Sequence, residues 1–147
     1  MPGKRHSEEA RLVRFGVSIE AHLLETFDGL IARRGYRNRS EAIRDLIRAR
    51  IVGEEWHAGT REVVGTLTLI YDHHTRELQA RMTELQHEFE GRVVSSLHVH
   101  LDRHNCLEVI VVRGRPSDVR ALADGLVSLK GVKHGQLAAT TSGKMIG

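Results

Sequence analysis

The segment that decides the fold of the C-terminal half is Leu97-His98-Val99-His100-Leu101-Asp102-Arg103-His104-Asn105-Cys106-Leu107-Glu108. Its polar residues 102–105 predict a turn between two β-strands. Alternate side chains leave the same face of a strand, so the rings of His98 and His100 can converge on one ion while Val99 and Leu101 point into a core. Cys106 would then return on the next strand. Taken singly, each is more often an ordinary strand or core residue. Together, at ligand spacing, they predict a transition-metal site.

Two imidazoles and one thiolate form a borderline-soft ligand set. Such a set suits Zn(II), Cu(II) or Ni(II) and excludes Mg(II) or Ca(II), and the geometry of a fourth ligand decides among them. Cys106 is the only cysteine of the chain. It cannot form an internal disulfide, which agrees with a reducing compartment and leaves the thiol available to a metal.

The composition is that of a soluble globular protein, with 147 residues of which 40% are hydrophobic and 28% charged. No apolar run could span a bilayer, and the N-terminus lacks the apolar core of a signal peptide, so we expect a cytoplasmic protein with no membrane segment. Residues 1–52 carry 11 basic and 7 acidic side chains, so the positive charge lies in the N-terminal third. A basic surplus of this kind suggests contact with phosphates.

The residues around the hairpin predict a complete small domain. Strands are expected at 63–71, 93–100, 106–112 and 132–140, and helices at 75–89 and 116–129. This βαββαβ order is that of a ferredoxin-like fold, as in ACT-type regulatory domains, whose sheet edge commonly supports oligomers. Residues 53–60, which include Gly53 and Trp56, predict a hinge before this domain.

The N-terminal third predicts one strand followed by two helices. In residues 12–19 the apolar positions are Val13, Phe15, Val17 and Ile19, and the other face presents Arg14, Gly16 and Ser18. Apolar residues then recur at helical spacing over 23–31 and 42–51. Gly35 predicts the end of the first helix, and Asn38 followed by Glu41 predicts a capping box at the start of the second.

A single amphipathic strand would leave its backbone groups and its apolar face exposed. Two copies of the chain can solve this problem by pairing their strands antiparallel into a ribbon that covers four helices. The opposite face of the ribbon then shows Arg14, Gly16 and Ser18 twice and fits the major groove of double-stranded DNA. An N-terminal arm with Lys4, Arg5 and Arg11 could add phosphate or minor-groove contacts.

These residues resemble the ribbon-helix-helix DNA-binding proteins, through the strand and the run Asn38-Arg39-Ser40-Glu41-Ala42-Ile43-Arg44-Asp45. With the segment His98-x-His100-x5-Cys106 added, the whole chain resembles the nickel-responsive repressors of that class, the NikR family. The resemblance implies an α+β protein with a dimeric ribbon-helix-helix domain at 1–58 and an ACT-type nickel-binding and tetramerisation domain at 59–147. The chain departs from the family pattern at Gly16, where many relatives carry a hydroxyl side chain. The family's operator sequence therefore does not carry over to this chain.

The resemblance also implies the ligands and the activity. His98, His100 and Cys106 would bind Ni(II), with the fourth ligand, His87, supplied by a neighbouring subunit of a tetramer built as a dimer of dimers. Three nitrogens and one thiolate in a plane are what Ni(II) prefers, whereas Zn(II) would impose a tetrahedron. Glu108 is expected to orient a ligand from behind. The chain is then a transcriptional regulator and not an enzyme, one that binds an operator and represses nickel uptake genes.

Further residues receive weaker assignments. Arg76 is a candidate phosphate contact in the metal-bound form. Glu41 and Asp45 lie one turn apart, and the resemblance suggests that they bind a hard cation. An ordinary solvated helix face would explain the two residues equally well. Four other histidines are candidates for weaker metal sites or are incidental: His22, His73, His74 and His104.

Two alternatives from other functional classes remain open at this point. A metal-independent ribbon-helix-helix antitoxin, or a regulator that responds to an amino acid through its ACT domain, would explain the fold without a metal. A metal-dependent hydrolase could use three ligands and a water, but Glu108 is its lone candidate for an acid or base.

Overall fold

The structure is a computed structural model that describes residues 11–89 and 92–147. The chain forms two compact units that divide between Arg48 and Ala49. Lys4 and Arg5 of the predicted N-terminal arm lie outside the described residues. Within the part of the chain that is described, no helix is long and apolar enough to cross a membrane.

Two helices build the first unit, α1 (Ala21–Arg33) and the start of α2 (Arg39–Ala58). Gly35 ends α1 as predicted: its φ is 78°, and the next amide, that of Tyr36, donates to the carbonyl of Ile31 at 3.1 Å. This backbone conformation carries little cost for glycine, which has no Cβ. Asn38 caps α2, because its Oδ1 accepts the amide of Glu41 at 2.9 Å. The predicted cap is therefore present.

One ion pair joins the two helices of this unit. The guanidinium of Arg39 donates through Nε and Nη2 to the two carboxylate oxygens of Asp28, both at 2.7 Å. The hydrogen bond from Arg39 is the main reason that the pKa of Asp28 lies below its usual value. Such a fork-to-fork pair is geometrically specific as well as attractive.

Residues 11–20 form neither helix nor strand in the single chain. The apolar side chains of the predicted strand are exposed, with 75% of Val13, 70% of Phe15 and 66% of Val17 open to solvent. A strand needs a neighbour to satisfy its backbone groups. The predicted ribbon therefore depends on a second copy of the chain.

The hinge predicted at residues 53–60 is wrong for most of its length. Helix α2 continues through Gly53 to Ala58. Trp56 explains the extension, because its side chain is only 4% exposed and its Nε1 donates to the carbonyl of Thr140 at 2.7 Å. Burial of an aromatic ring in the second unit outweighs the modest cost of one helical glycine, about 1 kcal/mol.

The second unit has the predicted βαββαβ order. Its elements are β1 (Val63–Asp72), α3 (Leu78–Glu88), β2 (Val93–His100), β3 (Asn105–Gly114), α4 (Pro116–Val127) and β4 (Val132–Thr140). The strands form one antiparallel sheet in the order β2-β3-β1-β4. The molecule is thus an α+β protein with a ferredoxin-like C-terminal unit, as predicted.

The core of this unit lies between one face of the sheet and the two helices. Alternate residues of β1 and β3 point into it, as the period of two requires. Its largest fully buried side chains are Tyr71, Leu67, Leu69, Leu78, Met82, Ile110, Leu122, Leu126, Val63, Val112 and Val119. Gly135 lets β4 approach α4, because a Cβ at this position would lie 2.3 Å from Cγ2 of Val127.

The other face of the sheet is apolar but largely uncovered. On β2, Leu97 is 61% exposed and Val99 is 38% exposed, and these two residues pair with Val109 and Leu107 of β3. Isolated exposed apolar residues are normal, but a row along one sheet face marks a surface suited to association.

Candidate metal centre

The strand register places the predicted hairpin ligands on the helix-facing side of the sheet. His98 lies opposite Glu108, and His100 lies opposite Cys106. The Sγ of Cys106 is 3.4 Å from Nδ1 of His100, and the ring centroids of His98 and His100 are 4.8 Å apart. The hairpin therefore brings His100 close to both His98 and Cys106, and the predicted ligand set stays a prediction.

His98 is oriented by a buried tyrosine. The hydroxyl of Tyr71 lies 2.9 Å from Nδ1 of His98, and Nε2 of Gln79 donates to the same hydroxyl at 2.8 Å. Burial, and then the negative charge of Glu108, raise the pKa of Tyr71 to about 12, so the phenol stays protonated at neutral pH. A partner on Nδ1 leaves Nε2 as the nitrogen that can face a metal. From the sequence, Tyr71 is expected to support the site by packing; its hydrogen bond to His98 and the one from Gln79 are not anticipated.

Cys106 is fully buried, with none of its surface exposed. Burial raises the pKa of its thiol, and the carboxylates of Asp102, Asp72 and Glu108 raise it further. A thiol in these surroundings is protonated at neutral pH until a cation replaces the proton. This residue is suited to metal binding and poorly suited to act as a free nucleophile.

Glu108 is nearly buried, with 9% of its surface exposed, and lies beside Tyr71 and Cys106. Its charge raises the pKa of both neighbours. Its predicted role in orienting a ligand stays a prediction.

His73, which on the sequence alone is only a candidate for a weaker metal site, lies close to two of the hairpin residues. Donor atoms of His73, His100 and Cys106 all lie within 4.8 Å of one another. Among the described residues the Nδ1 of His73 is buried without a hydrogen-bond partner. A buried nitrogen in this state costs roughly 1 to 3 kcal/mol unless it acquires a ligand. The sequence shows His73 and His74 next to each other just after β1, but only the pairing of β1 with β3 brings His73 to the hairpin.

His87 lies apart from this cluster. It is exposed in the last turn of α3, beside a shallow surface depression lined by Gln79, Ala80, Thr83 and Glu84. The one group of three possible metal donors found in the described part of the chain does not include it. Within the described residues, that group joins His100 and Cys106 to His73 and leaves out both His98 and His87.

The chemistry of the donor set fits nickel. Imidazole nitrogen and thiolate sulfur are ligands that Ni(II) accepts readily, and the cluster offers both within hydrogen-bond distance of each other. A hard cation would instead require a cage of oxygen atoms.

The predicted DNA-binding residues lie where a ligand could reach them. Arg14, Gly16 and Ser18 are exposed in residues 11–20, and Arg76 is exposed in the turn before α3. The structure leaves their roles as predictions.

Glu41 and Asp45 line a surface depression on α2 with Tyr36, Arg44 and Arg48. Asp45 already accepts the hydroxyl of Tyr36 at 3.0 Å and lies 3.5 Å from Nη1 of Arg48. These partners favour a solvated helix face at this position. The cation site stays a prediction.

Comparison with known proteins identifies both halves of the chain. Residues 64–140 match the family model described as the NikR C-terminal nickel-binding domain, and residues 13–52 match that of the ribbon-helix-helix proteins of the copG family. These matches place the ribbon-helix-helix domain N-terminal to the nickel-binding domain, as predicted.

Curated relatives match over most of the chain. A protein of Geobacter sulfurreducens named "Putative nickel-responsive regulator" is 60% identical over 90% of this chain and 95% of its own length. One of the same name from Pyrococcus furiosus is 57% identical over 92% of this chain and 98% of its own. Among solved structures, the ACT domain from the GTP pyrophosphokinase of Chlorobium tepidum aligns with a TM-score of 0.45 and 10% identity, over 52% of this chain and 99% of that one. On the family-model matches and the curated relatives, this chain belongs to the NikR family of ribbon-helix-helix regulators.

Proposed function

We propose that this protein is a nickel-sensing transcriptional regulator that binds an operator in double-stranded DNA when Ni(II) is bound, and that it represses nickel uptake genes. The observation that carries the proposal is the cluster of His98, His100 and Cys106 at one end of a sheet, in a chain whose N-terminal residues match DNA-binding proteins. The antitoxin and amino-acid-sensing alternatives do not explain the metal donors, and the hydrolase alternative does not explain the DNA-binding segment.

The metal site would use His98, His100 and Cys106 of one chain and His87 of a neighbouring subunit. The exposed position of His87 on α3, apart from the hairpin, supports a ligand that is shared between chains. These four side chains would hold the nickel ion, which would link the two chains that supply them. Tyr71 orients His98 through Nδ1, and Cys106 releases its proton when the metal binds.

Assembly would be a tetramer built as a dimer of dimers. Two observations support it: the apolar ribbon residues 13–19 are exposed in the single chain, and the sheet face that carries Leu97 and Val99 is apolar and open. The first surface suits pairing of two N-terminal strands, and the second suits association of C-terminal units.

Nickel would act by restricting how the DNA-binding dimers are arranged. A ligand shifts such an equilibrium only through its preference for the competent arrangement, and a preference of ~100-fold supplies about 2.7 kcal/mol. Paired strands would then present Arg14 and Ser18 to base edges in two half-sites, while Arg76 contacts a phosphate.

The experiment is a footprint on the DNA upstream of the gene with and without Ni(II), on the full chain and on two variants. Cys106→Ala should lose nickel-dependent protection while it keeps the fold and the oligomeric state. Arg14→Ala should lose specific protection while it keeps its nickel affinity, since a bidentate arginine–guanine contact contributes ~1 to 3 kcal/mol. His134→Ala, an exposed histidine on β4, is the matched control and should behave as the parent does. Nickel-dependent protection that survives Cys106→Ala would contradict the proposal.

A further inference from the structure

We propose that His73, His100 and Cys106 form a second metal-binding mode within one chain, which takes a divalent ion of tetrahedral preference such as Zn(II). This inference rests on the proposed function, because it shares two ligands with the nickel site. An ion bound in this way would occupy Cys106 without using His98 or the histidine of a neighbouring subunit.

The first support is the distances within the cluster. All three donor atoms lie within 4.8 Å of one another, and the Sγ of Cys106 is 3.4 Å from Nδ1 of His100. In a tetrahedral zinc site, ordinary Zn–N and Zn–S bond lengths place nitrogen and sulfur roughly 3.5 Å apart. One pair of donors is already at this separation, and the two separations that involve His73 are no more than 4.8 Å.

The second support is the unpartnered nitrogen of His73. Its Nδ1 is buried with no hydrogen-bond partner in the described part of the chain, whereas the backbone amide of the same residue donates to the carbonyl of His104 at 3.1 Å. The backbone bond ties the residue to the hairpin turn. Its ring stands edge-on to that of His100, with centroids 5.9 Å apart and planes at 87°.

The neighbouring histidine does not share this role. Nε2 of His74 lies 2.9 Å from the carbonyl oxygen of Arg103, and its ring packs near that of His104. His74 is exposed, and His73 is half-buried beside the cluster. The adjacent position therefore offers a matched control for the effect of removing an imidazole.

Geometry separates the two modes. Three ligands from one chain leave a fourth position for water, which is the arrangement of an open tetrahedral zinc site. His98 meanwhile keeps its bond to the Tyr71 hydroxyl at 2.9 Å. A planar ion needs four coplanar ligands and so calls for His98 and a further histidine from outside the cluster. The two modes compete because the chain has a single cysteine. A tetrahedral ion would thus be held without joining subunits.

The test uses the full-length protein with Co(II) as a spectroscopic probe of tetrahedral sites, followed by competition with Zn(II). The variants are His73→Ala, the more conservative His73→Gln, His98→Ala and the control His74→Ala, each checked for its fold by circular dichroism. We expect both His73 variants to bind Zn(II) at least tenfold more weakly and to lose the visible bands of tetrahedral Co(II). The planar nickel spectrum should persist in them. We expect the reverse in His98→Ala, and no change in His74→Ala.

Three results would overturn the inference. The first is tetrahedral Co(II) bands that are unchanged in both His73 variants. The second is loss of these bands in His98→Ala. The third is loss of the planar nickel spectrum in the His73 variants, which would make His73 a ligand of the nickel site itself. If the parent protein shows no planar nickel spectrum, the proposed function fails, whatever the Co(II) spectra show.

Discussion

Replacing Tyr71 by phenylalanine removes the hydroxyl group that contacts the predicted nickel ligand His98 on the nitrogen facing away from the metal. The ring of Tyr71 is fully buried, and its hydroxyl contacts Nδ1 of His98 at 2.9 Å and Nε2 of Gln79 at 2.8 Å. Phenylalanine keeps the ring and its packing. The substitution therefore separates the hydrogen bonds from the hydrophobic contribution of the side chain.

The expected effect on nickel is larger than the effect on folding. Loss of a partner behind a metal-bound histidine typically costs 10- to 100-fold in metal affinity, or about 1.4 to 2.7 kcal/mol. His98 and Gln79 are both exposed, so water can replace the lost hydroxyl when no metal is bound. We therefore expect the metal-free protein to lose only about 1 kcal/mol of its free energy of unfolding.

Nickel affinity can be measured by competition with a chelator, and stability by urea unfolding of the metal-free protein. Tyr36→Phe is the matched control, because it removes a hydroxyl that contacts Asp45 at 3.0 Å in the first unit, and we expect it to keep the parent's nickel affinity. The reasoning would be refuted by a Tyr71→Phe protein that binds nickel as tightly as the parent does and shows the same absorption spectrum.

Three other predictions concern packing, pH and metal removal. Gly135→Ala should lower the free energy of unfolding by about 1 to 3 kcal/mol, because the new Cβ would lie 2.3 Å from Cγ2 of Val127. Gly53→Ala is the control for the same urea titration. It should not destabilise the protein, because no heavy atom lies within 4 Å of the new Cβ. Asp28→Asn should lower the free energy of unfolding at neutral pH, and the difference from the parent in that free energy should shrink as the pH falls below about 4. The reason is that the pKa of Asp28 is lowered in the folded state. The stability that the Asp28 carboxylate contributes is therefore present above its unfolded pKa and is lost on acidification. Removal of nickel by a chelator should lower the melting temperature, since free metal at 100 times Kd adds about 2.7 kcal/mol of stability, and an unchanged melting curve would show that the metal does not bind the folded state preferentially.

The hairpin and the order of elements in the second unit could be predicted because they depend on local patterns. Period-two alternation places His98 and His100 on the same side of β2, and the polar run 102–105 specifies the reversal. The expectation that Val99 and Leu101 point into the core is wrong, because the pairing of β2 with β3 puts the two histidines on the core side and leaves Val99 38% and Leu101 53% exposed. Asn38 and Gly35 mark helix ends through short-range hydrogen bonds that any reader of the sequence can anticipate. Such features need no knowledge of the rest of the fold.

Features that depend on distant contacts could not be predicted in the same way. His73 reaches the metal cluster because β1 pairs with β3 over a long separation in sequence, and nothing in its own neighbourhood distinguishes it from His74. Helix α2 passes through Gly53 because Trp56 is buried against residues far along the chain. Tertiary burial overrides local propensity at these positions.

The central claim is that the nickel site is completed by His87 of a neighbouring subunit. Two full-length variants, His87→Ala and Cys106→Ala, each lack one ligand and should show no planar nickel spectrum when refolded alone. If they are unfolded together in equal amounts and reassembled, about one quarter of the sites should combine the intact hairpin of one chain with the intact His87 of the other. Native mass spectrometry establishes that mixed oligomers have formed.

Our account predicts that tight planar nickel binding returns in the mixture at about that fraction. A site drawn from one chain could not be repaired by mixing, because every chain lacks one of its ligands. Absence of planar nickel binding in demonstrably mixed oligomers would contradict the shared site, and with it the link between metal binding and assembly.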